Sequence, residues 1–444
     1  MKDGVPDAAR VSGKRTLRPL GGLLTAIAVS LTGTRVSAIA LPWFVLVTTG
    51  SATRTGLVAF CEMTPYVLVK TLTGPLVDRA GPRVVSWTTD LASASAAGAI
   101  PLLHSSGLLT FPVLLALVAL IGAARGPGDL AKEVMIPDAA ERSRVPTGRA
   151  TGLSGATERL AATIGPAAGG ALVALLGPLT GLVLNACCFA LGSVIIALVL
   201  PRGMGGTTEK AGSAQVVPRY WRSFGEGFVF LRGEPLLLSI VIMVGITNLL
   251  DAGFITVFLP VWAKDSGNGA ASIGLNNSAH AVMALAGSLC AAAIAHRMRR
   301  RPVFFVAFAI AGAPPFLILA STASMWVIVP VFAVSGLAAG FLNPIIGAIS
   351  FERVPRHLLG RVKALGDSLA WGGIPLGGLI GGAAVASWGL APVLLAGGAA
   401  YFLTTNLAGL RPEWREMDRH RGRTGGEDQR SPGGSPDAEY RQVG

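Results

Sequence analysis

Ionisable side chains stand where the chain is otherwise apolar, and their chemistry sets the first question. Asp251 lies in the run 235–262 and Arg35 in the run 20–47. A carboxylate in such a setting can carry a proton, and a guanidinium can hold an anion or pair with that carboxylate. Asn248 precedes Asp251 by three residues, so the two share a helix face. In the run 54–76, Glu62, Tyr66 and Lys70 follow an i, i+4, i+8 row, which puts acid, phenol and base on one stripe. Asp90, Arg125, Glu158 and Arg159 fall in the runs 84–104, 109–131 and 150–175. A charge at the centre of a lipid-spanning helix costs roughly 2.5–3.5 kcal/mol on insertion scales, so each needs a partner, a cavity or a function.

The elements that must position these residues are membrane helices. Hydrophobic residues make up 51% of the 444 and charged ones 14%, against about 25% charged in a soluble domain. A mean hydropathy of +0.59 over this length exceeds what one soluble core supports, since cores stop growing near about 250–300 residues. A crossing helix needs about 20 apolar residues. Such runs occur at 20–47, 54–76, 84–104, 109–131, 150–175 and 179–200, then at 235–262, 272–295, 303–321, 324–347, 362–388 and 390–410. The reading is an all-α membrane protein of twelve transmembrane helices in two six-helix halves.

The domains follow: a cytoplasmic N-terminal segment 1–18, an N-terminal half 19–200, a linker 201–234, a C-terminal half 235–410 and a disordered tail 411–444. In the linker, Gly203 to Ser213 reads as flexible. Trp221, Phe224, Phe228 and Leu231 then fall at the spacing of an interfacial amphipathic helix. With the N-terminus inside, Arg54 and Lys264 are the basic residues left outside, and Arg35, Lys70, Arg125 and Arg159 lie within spans. The rest of the 37 are cytoplasmic, which predicts a cell-membrane protein with both termini in the cytoplasm. The net charge of +13 is thereby a matter of topology, with no nucleic-acid partner implied. Cys61, Cys187, Cys188 and Cys290 sit in apolar runs without metal or disulfide spacing, and read as small buried hydrophobes.

The halves resemble one another. Arg144-Val145-Pro146 and Gly148-Arg149 precede the fifth run, and Arg353-Val354-Pro355 with Gly360-Arg361 precede the eleventh. Each leads into a small-residue helix with a proline shortly before paired glycines, as in a parallel repeat. Between the second and third runs, Gly74-Pro75-Leu76-Val77-Asp78-Arg79-Ala80-Gly81-Pro82-Arg83 resembles the signature G-x-L-x-D-R-x-G-R/K-R/K of the major facilitator superfamily, with Pro82 at a usually basic position. Its glycines permit a tight turn, and Asp78 can pair with a cation. The second-half counterpart, Ala292 to Arg301, carries His296 in place of the acid.

Gly165-Pro166-Ala167-Ala168-Gly169-Gly170 resembles the G-P-x-x-G-G element of exporters in that superfamily. Ala38 to Trp43, Thr49-Gly50-Ser51, Gly225-Glu226-Gly227 and Asn343-Pro344 are similar to the branch that contains macrolide-efflux proteins and the enterobactin exporter. That branch commonly has an Asp after the glycine of the first span, where this chain has Thr34 and Arg35 after Gly33.

The resemblance implies a major facilitator fold and a secondary active exporter of an amphipathic drug, antibiotic or siderophore. It would be driven by a proton gradient and need no further cofactor. The signature residues Gly74, Asp78, Arg79, Gly81 and Arg83 would gate the inner side, and Gly165, Pro166, Gly169 and Gly170 would bend the fifth helix. Asp251 leads as proton carrier, with Glu62 second. Arg35, Tyr66, Asn248 and Asp251 are cavity candidates, and Asp90, Arg125, Glu158 and Arg159 form an inner charge cluster. A static Arg35–Asp251 ion pair between the halves is the competing role for those two. The chain has no G-x-x-x-x-G-K-[ST] phosphate loop and no Ser/His/Asp or metal-ligand constellation, so no enzyme is expected. The partners are a small-molecule substrate and the lipid bilayer, with a monomer as the unit. An importer of a small polar solute and a non-transporting membrane sensor or scaffold are the alternatives.

Overall fold

The computed structural model describes residues 17–205, 225, 227–294, 298–355 and 358–417. Among these the chain runs as α1 (Arg18–Thr49), α2 (Ala52–Leu72), α3 (Pro82–Ser105), α4 (Phe111–Arg142), α5 (Thr147–Leu176) and α6 (Pro178–Val199). The second half contributes α7 (Pro235–Asp265), α8 (Gly269–Ile294), α9 (Arg300–Leu319), α10 (Met325–Arg353), α11 (Arg361–Trp388) and α12 (Leu390–Leu410). Ten of these are long and apolar enough to cross a membrane, and α2 and α3 fall short of that measure. Arg54, Glu62 and Lys70 dilute the apolarity of α2, and α3 is rich in Ser, Thr and Ala around Asp90. Both pack against α4, and the polar side chain of Asp90 turns to the buried face of α3 while Val84, Leu91 and Leu102 stay outward.

The repeat seen in the sequence is also a repeat of packing. Within the first half α1 lies on α5 and α6, and α4 on α2 and α3. Within the second, α7 lies on α11 and α12, and α10 on α8 and α9. Between the halves α5 meets α8, and α11 meets α2. The turns repeat too: Gly177 before α6 and Gly389 before α12 have φ of 85° and 78°, a region that glycine enters without a Cβ penalty.

Several outer segments differ from expectation. The described chain does not end its order at Arg411, because Pro412–Met417 forms a 3-10 helix. Trp414 is fully buried, its ring centroid 4.9 Å from that of Phe305 and 5.5 Å from that of Phe304. Arg353 at the end of α10 donates to Glu416 (3.1 Å) and Glu234 (3.3 Å), so the start of the tail clasps α7, α9 and α10. In the linker, Met204 is buried and the Gly205 N–H donates to Asp138 (2.7 Å). A helical stretch at 227–233 buries Leu231 and exposes Phe228. Trp221, Phe224 and His296, with the segments 1–16 and 418–444, lie outside the described residues. All four cysteines are free. Cys187 and Cys290 are exposed rather than buried, since a bundle solvated by lipid does not require apolar side chains to turn inward.

Candidate functional site

The acid–phenol–base row on α2 meets a second row on α4 with the same period. Arg125, Asp129 and Glu133 also stand four residues apart, and the parallel helices bring the two rows into register. Arg125 Nη1 donates to Glu62 Oε1 (3.1 Å), Tyr66 Oη to Asp129 Oδ2 (3.3 Å) and Lys70 Nζ to Glu133 Oε1 (3.3 Å). The Arg125 guanidinium also lies 4.4 Å from the centroid of the Tyr66 ring and 3.8 Å from Asp129. Glycines on α4 permit this approach. A Cβ at Gly122 would sit 2.0 Å from the carbonyl oxygen of Glu62, and one at Gly126 would lie 2.9 Å from that of Tyr66. The ladder grades from inside to rim: Arg125 and Glu62 are largely buried, whereas Glu133 is half exposed.

The inner charge cluster expected from sequence therefore divides. Arg125 joins Glu62, Tyr66 and Asp129. Asp90 instead forms a separate buried site with Lys132, whose Nζ donates to Asp90 Oδ1 (2.8 Å) and Ser30 Oγ (3.2 Å), while Ser30 Oγ lies 3.4 Å from Asp90 Oδ2. A Cβ at Gly192 on α6 would fall 2.6 Å from Ser30 Oγ, so that glycine makes room for the site. Glu158 and Arg159 are exposed. Glu158 lines a cavity of about 230 Å³ with Arg35, Tyr66, Lys70, Asp129 and Lys132.

Asp251 occupies a different cavity, of about 290 Å³, within the C-terminal half. Tyr401 of α12 lines the cavity beside its carboxyl, and no cation pairs with it among the described residues. Phe254, Phe316 and Phe332 line the same space, with Phe254 4.5 Å from Phe316 and 6.0 Å from Phe332 between centroids. Beyond Asp251 the helix passes through one π-helical turn, Phe254–Phe258, and then Pro260. Proline removes a backbone donor, and a single wide turn absorbs the mismatch. Asn248 reaches this cavity too, although its amide donates to the Ala370 carbonyl (3.0 Å).

The pairing of Arg35 with Asp251 is not present. Arg35 faces the cavity of the N-terminal half, because its backbone is drawn onto α5: a Cβ at Gly165 would lie 2.5 Å from Arg35 Cβ. Sequence reasoning missed Lys132 and Glu133, since it ended the fourth span at residue 131 while the helix runs to Arg142, and it passed over Asp129 inside that span. The four-residue period of Arg125, Asp129 and Glu133 was the signal that could have found the row. Tyr401 offered none, being one phenol in an apolar run.

Comparison with known proteins places this arrangement. Residues 20–424 match the family model described as transmembrane secretion effector. The chain belongs to that family. It is 30% identical over 400 residues to the multidrug efflux pump Tap of Mycobacterium tuberculosis, covering 89% of this chain and 94% of that one. To the pump of the same name from Mycolicibacterium fortuitum it is 28% identical over 408 residues, covering 90% and 97%. Among solved structures, the nucleoside transporter NupG (D323A mutant) superposes with a TM-score of 0.73 at 15% identity, covering 89% of this chain and all of that one. A bacterial homologue of the lysosomal transporter Spinster, inward-facing and unoccupied, superposes with a TM-score of 0.60 at 14% identity, covering 95% and 100%. The protein is thus a multi-pass membrane transporter with the major facilitator fold.

In this secretion effector the exporter-like element forms a seam between the halves. Gly169 seats α1, with a Cβ there 3.0 Å from Val36 Cα. Gly170 seats α8, with a Cβ 2.7 Å from Gly274 Cα. The equivalent glycines of α11 repeat the device, since Gly377 lies against the Leu249 carbonyl of α7 and Gly378 against Gly56 of α2. Thr53 adds a bond to the Gly382 carbonyl (3.4 Å), and Lys264 one to that of Leu46 (3.4 Å). These contacts all lie toward the membrane face opposite the linker and tail. On the linker side the halves part around the cavities, bridged there by Lys70, 5.6 Å from the Trp371 ring centroid.

The signature loop lies on that open side, and it holds a short helix, Gly74–Ala80, closed by Gly81 at φ 86°. The Arg83 guanidinium caps the Ala197 carbonyl at the end of α6. Arg79 is exposed, and the Asp78 side chain lies outside what the structure describes.

Proposed function

We propose that the protein exports amphipathic, drug-sized molecules in exchange for protons, as a monomer whose termini lie in the cytoplasm. The observation that carries this reading is the likeness, over 89% of the chain, to pumps named for multidrug efflux. The geometry supports it in three ways. Two of the cavities are lined by residues near the helix ends that adjoin the linker and tail, where an exporter loads. The seam of facing glycines gives the halves a hinge on the far side, about which they can rock. The Glu62–Arg125 pair supplies a coupling element: a proton on Glu62 cancels its attraction for Arg125, which then keeps Asp129 and the Tyr66 ring. Asp251 is the second carboxylate placed to carry a proton.

Under this reading the substrate enters from the cytoplasm or inner leaflet and occupies the cleft between the halves. Proton uptake from outside then resets the ladder. Everted membrane vesicles containing the protein test direction and coupling together. A fluorescent drug should accumulate inside when an inside-acid gradient is imposed, and an ionophore should abolish the accumulation. Loss of preloaded solute from the vesicles under the same gradient would favour an importer. Accumulation indifferent to the gradient would sink proton coupling.

A further inference from the structure

Resting on the exporter reading, we propose that the Asp251 cavity is a subsite for the cationic head of the substrate, a tertiary or quaternary amine carried on an apolar body. The cavity lies inside the C-terminal half and not in the midline cleft, and its chemistry is narrow. One carboxylate enters it, from α7. Its polar neighbour is the phenol of Tyr401, not a cation, so the structure gives its charge no opposite partner. The walls beside it are the rings of Phe254, Phe316 and Phe332. A carboxylate in an aromatic-lined cavity without a cation suits an alkylammonium, which brings charge to the acid and apolar carbons to the rings.

The remaining polar groups agree with a small cationic guest. His280 and Asn277 face in from α8, and neither ring nitrogen of His280 has a hydrogen-bond partner. No lysine or arginine lines the cavity, whereas three basic side chains, Arg35, Lys70 and Lys132, line the cavity of the N-terminal half. The subsite also shares a wall with a neighbouring cavity. Val244, Asn248, Asn343 and Ile346 line both it and a second cavity of about 440 Å³. That second cavity is bordered by Asp367, Lys363 and Trp371 on the linker side. The amine therefore passes from the open side beside Trp371 to Asp251, while the apolar body stays in the wider vestibule. With about 290 Å³ available, the deep site suits a head group with one ring and not a whole drug.

Benzyltrimethylammonium, a permanent cation of about that size, and its uncharged isostere neopentylbenzene are the probes. Binding of each to purified protein in nanodiscs is measured for the parent, Asp251→Asn, Asp251→Glu and Glu62→Gln. The expected result is that the parent prefers the cation, by about tenfold or more. That preference should vanish in Asp251→Asn, return in part in Asp251→Glu and persist in Glu62→Gln. Equal binding of the two probes by the parent would overturn the proposal, with no variant needed. So would an undiminished preference in Asp251→Asn, or absence of cation binding to protein that is monodisperse and folded. Gradient-driven efflux of a larger drug is measured alongside. If efflux persists where the cation preference is absent, the subsite fails and the exporter reading stands. If efflux fails while the preference is present, the reverse holds.

Discussion

In the N-terminal half Arg125 sits between Glu62 and Asp129, with Tyr66 beneath its guanidinium, so every charge of the inner ladder has an opposite neighbour. In the C-terminal half, Asp251 of α7 has a phenol and three phenylalanine rings lining its cavity and no cation among the described residues. The scaffold is the same on both sides, with the same helix contacts and the same glycine seats, and the fill differs. A closed set of charges can respond to one added proton by rearranging among its members. A single uncompensated carboxylate responds by taking up a proton or another positive partner from outside. The two halves therefore divide the labour, one suited to coupling and the other to holding a cation.

Removing the cation from the closed set should have the largest effect. Arg125→Met leaves Glu62 and Asp129 facing each other without compensation, and should cost about 3–5 kcal/mol, read as a lowered thermal midpoint in detergent. Adding Glu62→Gln should restore part of the loss, because fewer unpaired charges remain. A single variant as stable as the parent would break the comparison on its N-terminal side.

A smaller effect is expected at the seam. Gly170→Val places branched carbons where the Gly274 backbone already stands, and should destabilise by about 1–3 kcal/mol while slowing transport. Weaker still, Asp251→Asn keeps a hydrogen-bond acceptor for Tyr401 and strands no opposite charge. Its thermal midpoint should move by no more than about 1 kcal/mol allows. A loss as large as that of Arg125→Met would mean that Asp251 has a cationic partner after all. Smallest of all, Lys70→Ala removes a pair whose acid, Glu133, is half exposed, worth at most about 1 kcal/mol.

Much of this was legible in the sequence, for reasons specific to lipid. Hydropathy read the spans because the bilayer penalises exceptions heavily, and the glycines of α5 and α11 read as close-packing sites. Glu62, Tyr66 and Lys70 were recognisable as one stripe. Their pairing with α4 was not, since the apolar run ending at residue 131 left out Glu133, and Asp129 inside it was not set in a row with Arg125. A helix lined by its neighbours can hold Asp129, Lys132 and Glu133 at a depth that lipid would forbid. Pairing across the halves was equally invisible: Arg35 and Asp251 both lie mid-span, and only the packing of α1 on Gly165 reveals that they face separate cavities.

The division of labour is tested most directly by drug efflux from proteoliposomes under a pH gradient, with the membrane potential clamped at zero. Parent protein should concentrate the drug against its gradient. Glu62→Gln should still let drug equilibrate down its gradient and yet fail to concentrate it. Concentration by Glu62→Gln equal to that of the parent would contradict the account, because the proton would then act elsewhere than the ladder.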